Sequence, residues 1–224
     1  MNQYIELYMK NHQIEKKEII HTRDKGDMIG LSAPDMRKIA KELANNPAVC
    51  LEFFHERHVL FEEFDIHAYA IGYLKQEISS ILLYTEQFIP QINCWSVCDS
   101  LCQNYMHVKK YHKDVFDFVK KYRYSKAVWE QRFVAVMFQC KFMRQDYIDD
   151  VLKILEMMEP EEYYAKMGIA WAIATAMAKY PDETMTFMKK CRLDKETYNM
   201  SIKKIIESYR TREKDKLLLM GMKR

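Results

Sequence analysis

Glycine and proline are scarce in this chain. Five of each stand among 224 residues, about 4.5% together against a usual total of about 12%. All-β sandwiches and barrels depend on Gly/Pro turns, so the shortage argues against them, and against Gly-rich phosphate-binding loops. Long apolar runs are missing too. No stretch approaches the roughly 18 apolar residues of a membrane span, and the opening MNQYIELYMKNHQIEKK has no apolar core of a secretory signal. The six cysteines (Cys50, Cys94, Cys98, Cys102, Cys140 and Cys191) then read as reduced, mostly buried thiols, and the expected compartment is the cytoplasm. What remains is 49% hydrophobic and 30% charged, a globular composition.

Net charge is only +3, but its distribution is uneven. Residues 103–145 carry ten Lys/Arg against three acids, and residues 192–224 ten against five. Residues 50–93 carry seven acids against two bases, and residues 146–162 seven against one. In an elongated stack of helices such blocks would give one basic and one acidic face, and a basic face is the footprint of a polyanion. Solvated helix faces are the plainer reading.

Apolar residues recur at three- and four-residue spacing nearly everywhere, and no segment reads as a strand. The spacing predicts helices over 2–10, 13–21, 34–45, 47–56, 62–76, 79–90, 95–105, 110–122, 126–141, 145–157, 160–180, 181–190, 194–208 and 212–219. Pro34, Pro47, Pro160 and Pro181 stand at helix starts, where a missing N–H costs nothing. Paired, these helices make units of about 30–40 residues, the period of helical solenoids. The expectation is an all-α fold, an α-solenoid of about six antiparallel helix pairs with one concave wall. No composition break divides the chain, so residues 1–224 are expected to form one domain.

Three segments carry candidate chemistry. In NCWSVCD, Trp95 and Asp99 are four apart and share a helix face. Arg132, in WEQRFVAV, lies 33 residues later, and Trp171, in YYAKMGIAWAIA, a further 39. One repeat apart, a carboxylate, a guanidinium and two indoles can line one wall. Arg suits a phosphate, Trp the face of a nucleoside, and Asp a developing positive charge. A core-packed Trp95 and a capping or ion-paired Asp99 are the structural alternative.

These segments, in this order and spacing, resemble the AlkD-like family of DNA alkylation repair proteins. GLSAPDMRKIAKEL and NMSIKKIIESYRTREKDKLLL are similar to its early and C-terminal regions, so the likeness spans roughly residues 20–219. It implies a HEAT-like solenoid and a monofunctional glycosylase for cationic alkylpurines such as 3-methyladenine and 7-methylguanine in duplex DNA. It implies Asp99 as catalytic carboxylate, Trp95 and Trp171 against the damaged nucleotide's deoxyribose, and Arg132 on a phosphate. A monomer is implied as well. The chain departs from the family at His21, Ser32 and Ala174, where the characterised enzymes carry Tyr, Gln and Arg on the DNA-facing surface. Lys166, Lys203, Lys204 and Arg210 are candidate phosphate contacts, with a solvated surface role equally open. Two other readings stand: a non-catalytic DNA-binding member of the family, or a helical protein-interaction module.

No metal or other cofactor is expected. Cys94, Cys98 and Cys102 form one helical stripe with no second pair to complete a zinc site. The seven histidines show no H-E-x-x-H spacing, and no lysine within the motifs suggests a Schiff base. Sixteen methionines read as fillers of irregular core gaps.

Overall fold

A computed structural model describes residues 2–15 and 18–224. Among them the regular structure is helical apart from one two-stranded hairpin. It divides into two compact units, Met1–His112 and Lys113–Arg224.

The first unit holds α1 (Gln3–Asn11), β1 (Ile20–Thr22), β2 (Gly26–Met28), α2 (Ala33–Asn45), α3 (Pro47–His55), α4 (Phe61–Tyr73), α5 (Ile78–Phe88) and α6 (Trp95–Asn104). α4 packs against both α2 and α6, and α3 and α5 pack beside it. Its side chains are buried on nearly every face, which explains why no amphipathic stripe marks it. Gly72 lets α4 approach α6 closely: a Cβ there would sit 2.2 Å from the Asn104 carbonyl oxygen.

α7 (His112–Val119) runs into the second unit, followed by α8 (Val128–Met137), α9 (Ile148–Met157), α10 (Tyr163–Lys179), α11 (Pro181–Lys190), α12 (Lys195–Glu207) and α13 (Glu213–Met220). Here α10 is central, between α8 and α12. Its buried face is rich in small residues, including Ala165, Gly168, Ala172 and Ala176, and small residues let helix backbones come close. In both units, helices two apart in sequence pack side by side.

Side-chain caps explain several helix starts. Ser32 accepts from the Asp35 N–H, Asn46 from Val49 and Asp194 from Thr197, each satisfying an orphan donor worth about 1 kcal/mol. Pro34, Pro47 and Pro181 lie in first turns. Pro160 instead precedes α10 by three residues. The expected helix over 126–141 ends at Met137 and continues as a π-turn, Phe138–Phe142, while 110–122 gives way to a 3₁₀ segment from Lys120.

The helix expected over 13–21 is not there, and the expectation of no strand is overturned with it; Lys16 and Lys17 lie outside the described residues. Gln13 takes the left-handed conformation (φ 54°) just past α1, and Ile20–Thr22 pairs antiparallel with Gly26–Met28. The turn explains this. Gly26 supplies φ 73°, the left-handed residue that closes a three-residue hairpin loop, and the Lys25 N–H donates to Thr22 Oγ1 at 3.2 Å.

Three of the seven acids in the acidic block 50–93 are interior. Glu62 Oε1 accepts the N–H groups of Ile29, Gly30 and Leu31 at 3.0, 2.7 and 3.2 Å. Glu63 accepts from Asn2, Val59 and Leu60, and Asp65 is also buried. Glu62 and Glu63 tie backbone together, and none of the three buried carboxylates contributes to an acidic face.

A buried histidine pair makes the first unit acid-sensitive. His58 Nε2 and His67 Nδ1 share a hydrogen bond of 2.8 Å, and the His67 ring stacks on Phe54 at 4.1 Å. Burial lowers both pKa values, against Glu63, which raises that of His58, and with the charges of His58 and His55 further lowering that of His67. A depressed pKa means the unfolded chain binds more protons, so this stability is present above about pH 6.5 and is lost as pH falls. Asp65 opposes it: burial pushes its carboxyl up to about 6, so its contribution grows as pH falls below that value. Two histidines outweigh one carboxyl, and Tm is expected to drop between pH 7.5 and 5.5. The H58F/H67L double variant should lose that drop; an unchanged profile would rule out the pair as its source.

Candidate functional site

In the first unit, Trp95 is the first residue of α6, following Cys94 in extended conformation. At a helix start its indole escapes full burial and is 37% exposed. Asp99 lies one turn on and is 7% exposed, on the same face. Phe61 likewise opens α4. Lys25, from the hairpin turn, brings its Nζ to 4.4 Å from the Phe61 ring centroid and 5.7 Å from that of Trp95, within cation–π range.

A polar network adjoins Asp99. Ser100 Oγ donates to Tyr69 OH at 3.2 Å, and the Arg37 guanidinium lies 5.1 Å from the Tyr69 ring centroid. Asp65, one α4 turn before Tyr69, has its carboxyl raised by burial; hydrogen bonding to Ser100 and Tyr69 and the charges of Lys25 and Arg37 pull the other way. Thus α2, α4, α6 and the hairpin each send one or more chemically active side chains to the first unit's cluster. Sequence reading missed Lys25, Arg37, Asp65 and Tyr69. The Asp65/Tyr69 spacing of four was a legible signal, whereas Lys25 depends on a hairpin the periodicity did not reveal.

In the second unit, Arg132 on α8 is 4% exposed, and its Nη1 donates to the Tyr164 carbonyl at 3.1 Å. Gly168 of α10 lies over its stem: a Cβ there would be 3.4 Å from Arg132 Cγ. Backbone and packing therefore hold this guanidinium in place. Trp171 follows on α10, with its carbonyl accepting from Thr175 Oγ1 at 3.0 Å. Beside Trp171 opens a cleft of about 520 Å³ reaching the turn after α12.

Comparison with known families decides what this set belongs to. A family model described as DNA alkylation repair enzyme matches residues 4–209. The chain belongs to that family. A search of curated proteins finds no match. Membership gives the protein a role in DNA alkylation repair.

The remaining candidate contacts of this repair protein divide by their present partners. Lys166 is held by an ion pair to Glu196, whose hydrogen bond raises the lysine pKa. Lys204 pairs with Glu207 at 2.9 Å. Lys203 is exposed and makes no ion pair among the described residues. Arg210 Nε donates to Tyr209 OH at 3.2 Å. His21, on β1, is exposed and bonds Asp27 Oδ1 through Nδ1 at 2.8 Å. Ser32 is occupied as the α2 cap, also donating to Asp35 Oδ2 at 2.6 Å, and Ala174 is buried on α10.

Cys94, Cys98 and Cys102 are buried thiols outside any disulfide. No three metal-ligating side chains gather among the described residues. Among the same residues no helix is long and apolar enough to cross a membrane.

Proposed function

We propose that the protein is a monofunctional DNA glycosylase that removes cationic N3- and N7-alkylpurines, such as 3-methyladenine and 7-methylguanine, from duplex DNA. The observation that carries this reading is the pairing of a buried carboxylate, Asp99, with a part-exposed indole, Trp95, one helical turn apart in a chain of the alkylation repair family. The packing of helices two apart within each unit supports a HEAT-like repeat fold, and DNA binding is proposed for its basic residues.

N-alkylation makes the purine cationic, so it departs with the glycosidic electron pair as a neutral base and needs no general acid. The sugar left behind is oxocarbenium-like. The Asp99 carboxylate stabilises that charge and directs a water to C1′, whose surplus proton passes to the carboxylate or to solvent. The family resemblance assigns Trp95 and Trp171 to the deoxyribose and Arg132, held by Tyr164 and Gly168, to a neighbouring phosphate. Lys203, Lys204, Arg210 and Lys166 are proposed backbone contacts, Lys166 after release from Glu196. His21 and Ser32 mark where the DNA passes the first unit. The protein works as a cytoplasmic monomer without a cofactor.

Release of 7-methylguanine from duplex DNA by the wild-type protein is the direct test, and no release would sink the proposal. A non-catalytic DNA-binding member is the second reading. Ser32, committed to capping α2, and the small Ala174 favour it, and it predicts binding without release. Both DNA readings expect affinity to fall steeply with salt as bound phosphates displace counterions. A flat response between 50 and 200 mM, roughly the range over which phosphate contacts are felt, would point to the protein-interaction reading instead.

A further inference from the structure

The cleft beside Trp171 and Arg210 also holds residues given no part in base excision, Lys179 and Tyr209 among them. Its volume, about 520 Å³, is that of a small-ligand site. Ala174 and Ala178 of α10 line it, and their single methyl groups leave its floor open. The turn after α12 lines the same cleft with Tyr209 and Arg210. Tyr209 is 85% exposed, and the Arg210 guanidinium lies 5.4 Å from its ring centroid. Lys179 also lines the cleft, and neither it nor Arg210 makes an ion pair among the described residues.

Glu207 also lines the cleft, but it is paired with Lys204 at 2.9 Å, so an exposed aromatic ring, two cations without an ion pair and room for a ring system select a ligand that is both planar and anionic. That combination is a nucleotide. We propose that this cleft is a subsite for one unpaired nucleotide of DNA, its base stacked on Tyr209 and its phosphate held by Lys179 and Arg210. Ala174 is the specificity-determining position, because a long side chain there closes the site. The inference rests on the DNA-binding part of the proposed function and not on excision.

The test is equilibrium binding, at one salt concentration, to two unmodified duplexes that differ by a single bulged adenosine. Wild type should prefer the bulged duplex by roughly tenfold, the weight of about one base–aromatic stack. Tyr209→Ala should erase the preference while paired-duplex affinity changes by less than about twofold, Ala174→Arg should erase it whatever its added charge does to affinity for both duplexes, and Tyr209→Phe should keep it. Should Ala174→Arg fail to fold, the two Tyr209 variants decide. No preference in the wild type, a preference that survives Tyr209→Ala, or competition by free AMP as effective as that of the bulged strand would each overturn the proposal. No alkylated base enters the measurement, so an inactive glycosylase leaves the result standing. Failure to bind either duplex would instead sink the DNA-binding reading, and this subsite with it.

Discussion

Asp99→Asn is expected to slow release of 7-methylguanine by about 10²–10³-fold, the usual cost of removing a group aimed at developing charge. The substitution keeps the size and polarity of a side chain that is nearly buried on α6. Tm and affinity for unmodified duplex should therefore stay close to wild type. The loss should appear in single-turnover rate and not in DNA binding, because the carboxylate acts on charge that exists only in the transition state. Base release by Asp99→Asn as fast as wild type would show that the carboxylate role is wrongly assigned, even if the protein proves to be a glycosylase.

The largest stability effect is expected at Glu62. One carboxylate oxygen takes three backbone N–H groups from Ile29, Gly30 and Leu31, tying the segment between hairpin and α2 to the first turn of α4. Glu62→Ala would leave those donors orphaned at about 1–3 kcal/mol each, so a loss of at least about 3 kcal/mol follows. For a chain of this size that lowers Tm by about 6 °C or more. Glu62→Gln keeps an acceptor oxygen and should recover most of the loss. Hydrogen exchange at residues 29–31 should speed up in the alanine variant and remain slow in the glutamine one. Equal Tm for wild type and Glu62→Ala would mean that the carboxylate does not carry this joint.

The two predictions draw on different kinds of legibility. Asp99 stands out from the amino-acid order alone, because an indole and a carboxylate four apart on a short helix share one face. Glu62 does not. In sequence it is one acid of an acidic block, and its spacing on α4 suits an exposed ion-pair residue as well as a buried anchor. Its role depends on a loop thirty residues upstream that exposes three N–H groups in a row, one of them at Gly30 with φ 76°.

The hairpin shows the same limit from the other side. Residues 13–21 carry apolar spacing that suits a helix, yet Gln13 turns left-handed and Gly26 closes a strand pair. Turn chemistry overrode periodicity there. A Gly at the end of Thr-Arg-Asp-Lys-Gly was the available clue. Its consequence, Lys25 resting over Phe61 and Trp95, lay beyond any local pattern.

By itself, then, the sequence determined the helical class, most helix boundaries and the family to which the chain belongs. Helix periodicity, caps and prolines act within a few residues, and local rules suffice to read them. Tertiary structure alone decided which charges are surface and which are interior: Glu62, Glu63 and Asp65 serve buried backbone and network roles, and Lys166 is held by Glu196. Charge counted along a chain is blind to burial, because a carboxylate's partners come from segments far away in sequence. The scarcity of glycine has the same double character. It excluded Gly-rich loops at once, but only packing showed why Gly72 and Gly168 are where they are, each at a helix crossing too close for a Cβ or barely open to one.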